Sequence, residues 1–335
     1  MIKIGILTFW GVPNYGAWTQ AYALNNIITK LSGDKSDVRH INYLHKNHFS
    51  AYYKNNDKLR NNFSYSYEII AHTEKMSQEQ LEREEFDVII TGSDAIWEFS
   101  IKGFGNDIHL IGNRLNTKKL IAYAPSFGTM TPDMDLEIWM KEGLEQYQYL
   151  SVRDSNSADI VSKLIGIEPQ IVLDPALLWD FKEDKNIVDP FITPYILVYG
   201  INWTEEFICS VKQFARGSAR RLVSVGYTNK WCDLNFRMTE LRCLEWIGMF
   251  KNAECVITST FHGLMLGLSF EKQVKFCSCE YVKNRSETLL KKLGIGMYST
   301  KELFWQELDY TQINKKLEEL REDSIHYLEK ALLEE

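Results

Sequence analysis

The densest set of reactive groups in the 335-residue chain is Thr258-Ser259-Thr260-Phe261-His262-Gly263. It follows an apolar run and opens a stretch with helical spacing. A strand–loop–helix junction presents backbone N–H groups and the positive end of a helix dipole, which suit an anion such as phosphate. Ser259 and Thr260 add hydroxyl donors, and Gly263 permits close backbone approach. His262 can hydrogen-bond a phosphate oxygen or move a proton near neutral pH. The alternative is a helix cap with a structurally bonded histidine. Arg153, at the end of the short predicted strand Ser151-Val152, offers a bidentate fork to carboxylate or phosphate, or pairs with Asp154 or another structural carboxylate.

Three further groups follow apolar runs. Asn14, Tyr15 and Gly16, with Gln20 one turn later, place amides and a tight turn after residues 2–9, as a ligand loop or as a plain helix start. Gly92-Ser93-Asp94 with Trp97 sets a carboxylate and an indole together. That pair suits a sugar, the carboxylate for hydroxyls and the ring for an apolar face; it equally describes an Asp cap with a core Trp. Asp174-Pro175-Ala176 reads as a backbone-shaping turn. Arg285 is a second anion clamp or an exposed helical arginine.

These groups need strand ends to hold them. Residues 2–9, 38–43, 87–91, 120–123, 151–152 and 170–173 predict strands. Helical spacing from Trp18 to Leu31, and a helix capped by Ser155 or Ser157, alternate with them. The Asn- and Tyr-rich stretch 44–80 reads as an insertion, mostly loop with some helix. A polar segment at 180–194, with two of the seven prolines, marks a linker. Beyond it, strands at 195–199, 221–225, 255–258 and 274–276 alternate with helices at 205–216, 239–250 and 262–269. A long amphipathic helix starts at Asp309, which with Gln312 fits a capping box. The fold class is thus α/β, with two Rossmann-like doubly wound domains facing across a cleft. The domains expected are 1–180 with its insertion near 44–80, 195–308, and the helix 309–335.

Composition bounds the function. The chain is 45% hydrophobic and 25% charged with a net charge of −7, a globular profile without the basic footprint of a nucleic-acid binder. No apolar run reaches the roughly 18 residues of a spanning helix, and the N-terminus carries no cleavage-site pattern. A cytoplasmic protein, reaching at most the inner face of the membrane, is expected. The six cysteines form no C-x-x-C pair, and Cys277-Ser-Cys279 lacks further ligands, so they read as structural thiols. The remaining histidines show no metal-ligand spacing, and no metal site is expected. No Walker loop, G-x-G-x-x-G or G-x-S-x-G is present.

Taken in order, N-Y-G-A-W-T-Q-A-Y-A-L (14–24), D-V-I-I-T-G-S-D-A-I-W (87–97), Y-A-P-S-F-G (123–128), L-S-V-R-D-S-N-S-A (150–158), L-D-P-A-L-L (173–178) and I-T-S-T-F-H-G (257–263) resemble the polysaccharide pyruvyl transferase family. The resemblance implies a fold like that of GT-B glycosyltransferases. It also implies transfer of a pyruvyl group from phosphoenolpyruvate onto two hydroxyls of a cell-wall or capsular sugar, as a ketal. On the motifs, Arg153 and His262 match the family's donor-site Arg and His. Thr260 departs: many members carry Arg two residues before that His. The acceptor is then a glycan or lipid-linked sugar, phosphoenolpyruvate is a substrate, and no cofactor is required. A nucleotide-sugar glycosyltransferase and a non-catalytic glycan- or anion-binding module are the alternatives.

Overall fold

A computed structural model of the chain describes residues 1–53, 57–101, 105–189, 194–277, 280–296 and 307–334. Part of the expected linker (190–193) and Cys279 lie outside the described residues. The strands are β1 (Ile2–Leu7), β2 (Ser36–His40), β3 (Phe86–Thr91), β4 (Thr117–Ala122), β5 (Tyr149–Val152), β6 (Gln170–Ile171), β7 (Tyr195–Tyr199), β8 (Arg221–Gly226), β9 (Leu234–Arg237), β10 (Cys255–Thr258) and β11 (Gln273–Phe276). The helices are α1 (Tyr15–Ser32), α2 (Lys46–Tyr53), α3 (Asp57–Glu68), α4 (Gln78–Arg83), α5 (Ile138–Leu144), α6 (Ser155–Ile165), α7 (Glu205–Gly217), α8 (Cys243–Asn252), α9 (Phe261–Ser269), α10 (Glu280–Leu293) and α11 (Tyr310–Leu333).

The chain divides into two compact units. One comprises Met1–Asn56, Tyr67–Trp179 and Glu318–Glu335, the other Asp57–Ser66 and Asp180–Leu317. The break after Trp179 falls at the start of the expected linker. Two pieces cross it. Most of α3 belongs to the second unit, and α11 is shared, its last four turns lying in the first.

The first unit holds a wholly parallel sheet of order β2-β1-β3-β4-β5-β6. Alternate strand residues feed opposite faces, as the two-residue strand period requires. Ile4, Ile6, Val88, Ile90 and Ile121 pack with Leu24, Ile27 and Ile28 of α1 and with Tyr327, Leu328 and Ala331 of α11. Leu7, Ile89, Leu120 and Ala122 pack with Met140 and Leu144 of α5 and Ile160 and Val161 of α6. Because both faces are covered, the central strands β1 and β3 are largely apolar. The second unit holds a parallel sheet of order β11-β10-β7-β8-β9. Ile196, Val198, Leu222 and Ile257 pack under Phe207, Val211 and Ala215 of α7.

Several elements differ from the sequence expectation. The stretch 44–80 holds three helices rather than mostly loop. Its high polarity conceals single buried contacts, such as Phe63 on α3, and Ser77 with Gln80 builds a capping box for α4 that the spacing alone could have revealed. Asp154, not Ser155 or Ser157, caps α6 by accepting from Ser157 N–H. β2 ends at His40, α8 starts at Cys243, and β9 is an additional strand: Leu234 and Phe236 alternate with Asn235 and Arg237, but four residues are the shortest run in which alternation signals a strand. Asp309 caps α11 by accepting from Thr311 N–H at 3.0 Å.

Candidate functional site

In an open parallel sheet, ligands bind outside the carboxyl ends of the strands where the strand order reverses. That point lies between β1 and β3 in the first unit and between β7 and β10 in the second. Each carries one of the groups picked out above.

In the first unit, the loops after β3, β5 and β6 meet through Arg153. Its Nη1 donates to Asp174 Oδ2 at 2.7 Å and its Nη2 to Asp94 Oδ1 at 3.3 Å. Only 1% of the Arg153 side chain is exposed, against 12% for Asp94. Burial alone would push the guanidinium down. The carboxylates of Asp174, Asp94 and Asp154 outweigh that and hold it charged. The fork expected to face an anion is thus given to carboxylates, the ion-pair alternative left open by the sequence. Asp174 was read as a turn former. It is one, accepting from Ala176 N–H, and it also receives Arg153 and the Ser93 hydroxyl. Asp94 adopts φ 78°, with its carboxylate also accepting from Ala95 N–H at 2.7 Å. Ser93 is fully buried, donating to Ala124 O and Asp174, while its own carbonyl accepts from Thr8 Oγ1.

Around these, three groups are engaged in scaffolding, the alternative the sequence left open for each. Trp97 is wholly buried, with Nε1–H donating to Leu110 O and its ring against Phe127, so it offers no face to a sugar. Asn14 caps α1, accepting from Gly16 and Ala17 N–H; Tyr15 and Gly16 are buried behind it. Gln20 braces the β1 loop by donating to Thr8 Oγ1, Phe9 O and Ala17 O.

In the second unit, hydroxyls knit the end of β10. Thr258 Oγ1 donates to Tyr199 O at 2.7 Å and accepts from Thr260 N–H at 3.1 Å. Ser259 Oγ donates to Ile201 O and accepts from Ile201 N–H, tying the β10 end to the β7 end. Thr260 caps α9 by accepting from Gly263 N–H, and its carbonyl accepts from Leu264 N–H. The anion cradle expected at this strand–loop–helix junction is therefore narrower, because the Gly263 and Leu264 N–H groups are used inside the turn. A β-carbon at Gly263 would sit 2.7 Å from Thr260 Oγ1, so glycine is what the hydroxyl network admits. His262 stands edge-on to Phe261, centroids 5.3 Å apart, and is 8% exposed. Arg285 reaches the same ring from α10, its guanidinium carbon 6.0 Å from the Phe261 centroid. It is buried, which removes the reading of an exposed helical arginine. The structure thus brings His262 and Arg285 together in one unit and Arg153, Asp94 and Ser93 together in the other.

Among the described residues no group of three His, Cys, Asp or Glu is arranged to hold a metal ion, and no helix is long and apolar enough to cross a membrane. The described cysteines are free thiols, four buried and Cys209 exposed.

A family model described as polysaccharide pyruvyl transferase matches residues 14–280. No curated protein matches the sequence. Among solved structures, the UDP-GlcNAc 2-epimerase of Neisseria meningitidis bound to UDP-GlcNAc is similar with TM-score 0.53 at 9% identity, over 99% of this chain and 94% of that one. The S. aureus MnaA–UDP structure gives 0.52 at 12%, over 99% and 91%. The UDP-GlcNAc 2-epimerase of Methanocaldococcus jannaschii gives 0.50 at 11%, over 95% and 92%. At these identities the likeness concerns the fold, which is GT-B-like.

Proposed function

The chain belongs to the polysaccharide pyruvyl transferase family, and from that membership we propose that it moves a pyruvyl group from phosphoenolpyruvate onto two hydroxyls of a cell-surface glycan sugar, closing a ketal. The observation that carries the reading is the convergence of His262 and Arg285 on Phe261 at the carboxyl end of β10. Phosphoenolpyruvate brings a carboxylate and a phosphate, which need cationic partners; Arg285 is one. Its methylene carbon must gain a proton, and His262 is the group able to deliver it near neutral pH. Protonation leaves an oxocarbenium-like centre. One sugar hydroxyl adds and loses its proton, inorganic phosphate leaves, and a second hydroxyl adds and loses its proton to complete the ketal; of the two protons released, one restores His262 and the other leaves with the phosphate. Asp94, whose carboxylate Arg153 fixes in the first unit, is the alternative acid–base candidate. The acceptor we have in mind is a glycan or lipid-linked sugar presented in the cytoplasm or at the inner face of the membrane.

The test is phosphate release from phosphoenolpyruvate with a pool of glycan acceptors. His262→Ala is expected to depress turnover by about 10²–10⁴-fold, the usual worth of an acid–base group. Arg285→Ala is expected to weaken phosphoenolpyruvate binding by about 1.5–3 kcal/mol, the worth of charge-assisted hydrogen bonds. If both variants lose only affinity, His262 is a phosphate ligand and not the proton donor. Absence of release in the wild type, with thermal stabilisation by a nucleotide-sugar instead, would point to glycosyl transfer. Absence of release with binding alone would leave a binding module.

A further inference from the structure

Two tryptophans that the reaction scheme does not use stand at the carboxyl edge of the second unit's sheet. Trp203 lies in the loop after β7 and Trp231 in the loop after β8, both half-buried. The indoles meet edge to face, centroids 6.3 Å apart and planes at 87°. Trp203 is locked from two directions. Its ring stacks on Phe207 of α7, centroids 5.2 Å apart at 10°, and its Nε1–H donates to Asn229 Oδ1 at 3.0 Å. Asn229 is itself 6% exposed, and its amide nitrogen donates to Gly200 O and Ser224 Oγ, which fixes which way the side chain points.

This aromatic pair adjoins the strand end that carries His262. A β-carbon at Gly200 would lie 2.9 Å from Trp203 Cζ2 and would collide with the Ser259 hydroxyl. Gly200 follows β7 and Ser259 follows β10, the two strands flanking the reversal of strand order. Rigid indoles at a ligand-binding edge supply a large apolar face at small entropic cost. Phosphoenolpyruvate has no ring to lay on such a face, whereas a pyranose presents a flat set of C–H bonds. Exposed Asn202 and Thr228, in the same two loops, lie in sequence beside the aromatic pair and can serve its hydroxyls.

We propose that Trp203 and Trp231 form the platform on which a pyranose ring of the acceptor stacks; the proposal rests on the pyruvyl-transfer reading for what the sugar is there to do. The experiment is saturation-transfer NMR of the full chain with the methyl β-glycosides of galactose, mannose and N-acetylglucosamine, with UMP as the nucleobase probe. Wild-type protein is expected to transfer saturation to the ring C–H protons of at least one glycoside. Trp231→Ala and Trp203→Phe are each expected to weaken that glycoside at least tenfold. Trp203→Phe retains an aromatic ring to stack on Phe207, so it keeps the test valid if Trp231→Ala fails to fold. No transfer to any glycoside in the wild type, unchanged affinity in both variants, or transfer to UMP alone overturns the platform. Failure of phosphate release alongside glycoside binding that both variants abolish overturns pyruvyl transfer and leaves the platform standing.

Discussion

Arg153 has both Nη atoms on carboxylates, with 1% of its side chain exposed. Two effects compete over what its removal would do. A ligand anchor would cost binding of about 1.5–3 kcal/mol and little stability. A buried ion-pair hub leaves uncompensated carboxylates behind, at about 3–5 kcal/mol. The geometry favours the second, because Arg153 bridges Asp94 and Asp174, which come from different strand ends. Arg153→Ala is therefore expected to lower the melting temperature by roughly 10 °C for a unit of this size. Arg153→Lys, which keeps the charge without the fork, should fall between. A variant that melts with the wild type but no longer binds phosphoenolpyruvate would restore the anchor role that the family resemblance implies.

Thr260 shows how an element constrains a site. The helix α9 starts on its hydroxyl, which accepts from Gly263 N–H at 3.1 Å and lies 3.0 Å from Thr258 Oγ1. Thr260→Ala is expected to cost about 0.5–2 kcal/mol through the lost cap, and Thr260→Ser much less. Thr260→Arg, which restores the residue many family members carry, should cost at least as much as Thr260→Ala while adding a cation near His262. Chemical denaturation with midpoint and slope measured together separates the cap from any change in binding. Equal stability of Thr260→Ala and wild type would mean that α9 does not depend on the Thr260 hydroxyl for its start.

At the scale of the molecule, titratable groups make one unit the acid-sensitive one. His40 and His48, both in the first unit, are pushed down to about 4 by burial; for His48 the nearby Asp107 opposes this without overcoming it. The unfolded chain binds these protons near pH 6.5 and the folded one does not. The stability lost through each of these two histidines should thus grow to about 3 kcal/mol as pH drops from about 6.5 to about 4, and their contribution levels off below. His109 has the opposite sign. Burial opposes its charge, but hydrogen bonds and charge from Asp107 and Glu82 raise it above the ordinary value. Its contribution is fully present below pH 6.5 and is lost as pH rises through the raised value. Melting temperature against pH for wild type and His48→Phe checks this. The variant should lose part of the acid-side slope, and an unchanged slope would refute the assignment.

Local pattern was enough to locate most of the strands, though not β9, and the turns that follow them, because an apolar run ended by Gly, Ser, Asn or Pro is a statement about neighbouring residues. That is why His262, Arg153 and Asp94 were legible as strand-end groups, and why the alternation of strand and helix declared an α/β chain. The sequence could not say what those groups touch. Arg153 finds Asp94 59 positions away and Asp174 21 positions away, and Trp203 finds Asn229 26 positions away. Such partners are set by the order of strands in the sheet, which no local periodicity encodes. The same holds for Trp97, whose motif fits a sugar platform equally well until Leu110 and Phe127 close over it. It holds for α11 too, whose apolar stripe demands a partner without naming which unit supplies it. Residue chemistry and short spacing fix what each segment can do. Only packing between distant segments decides which of those capacities is spent on holding the fold.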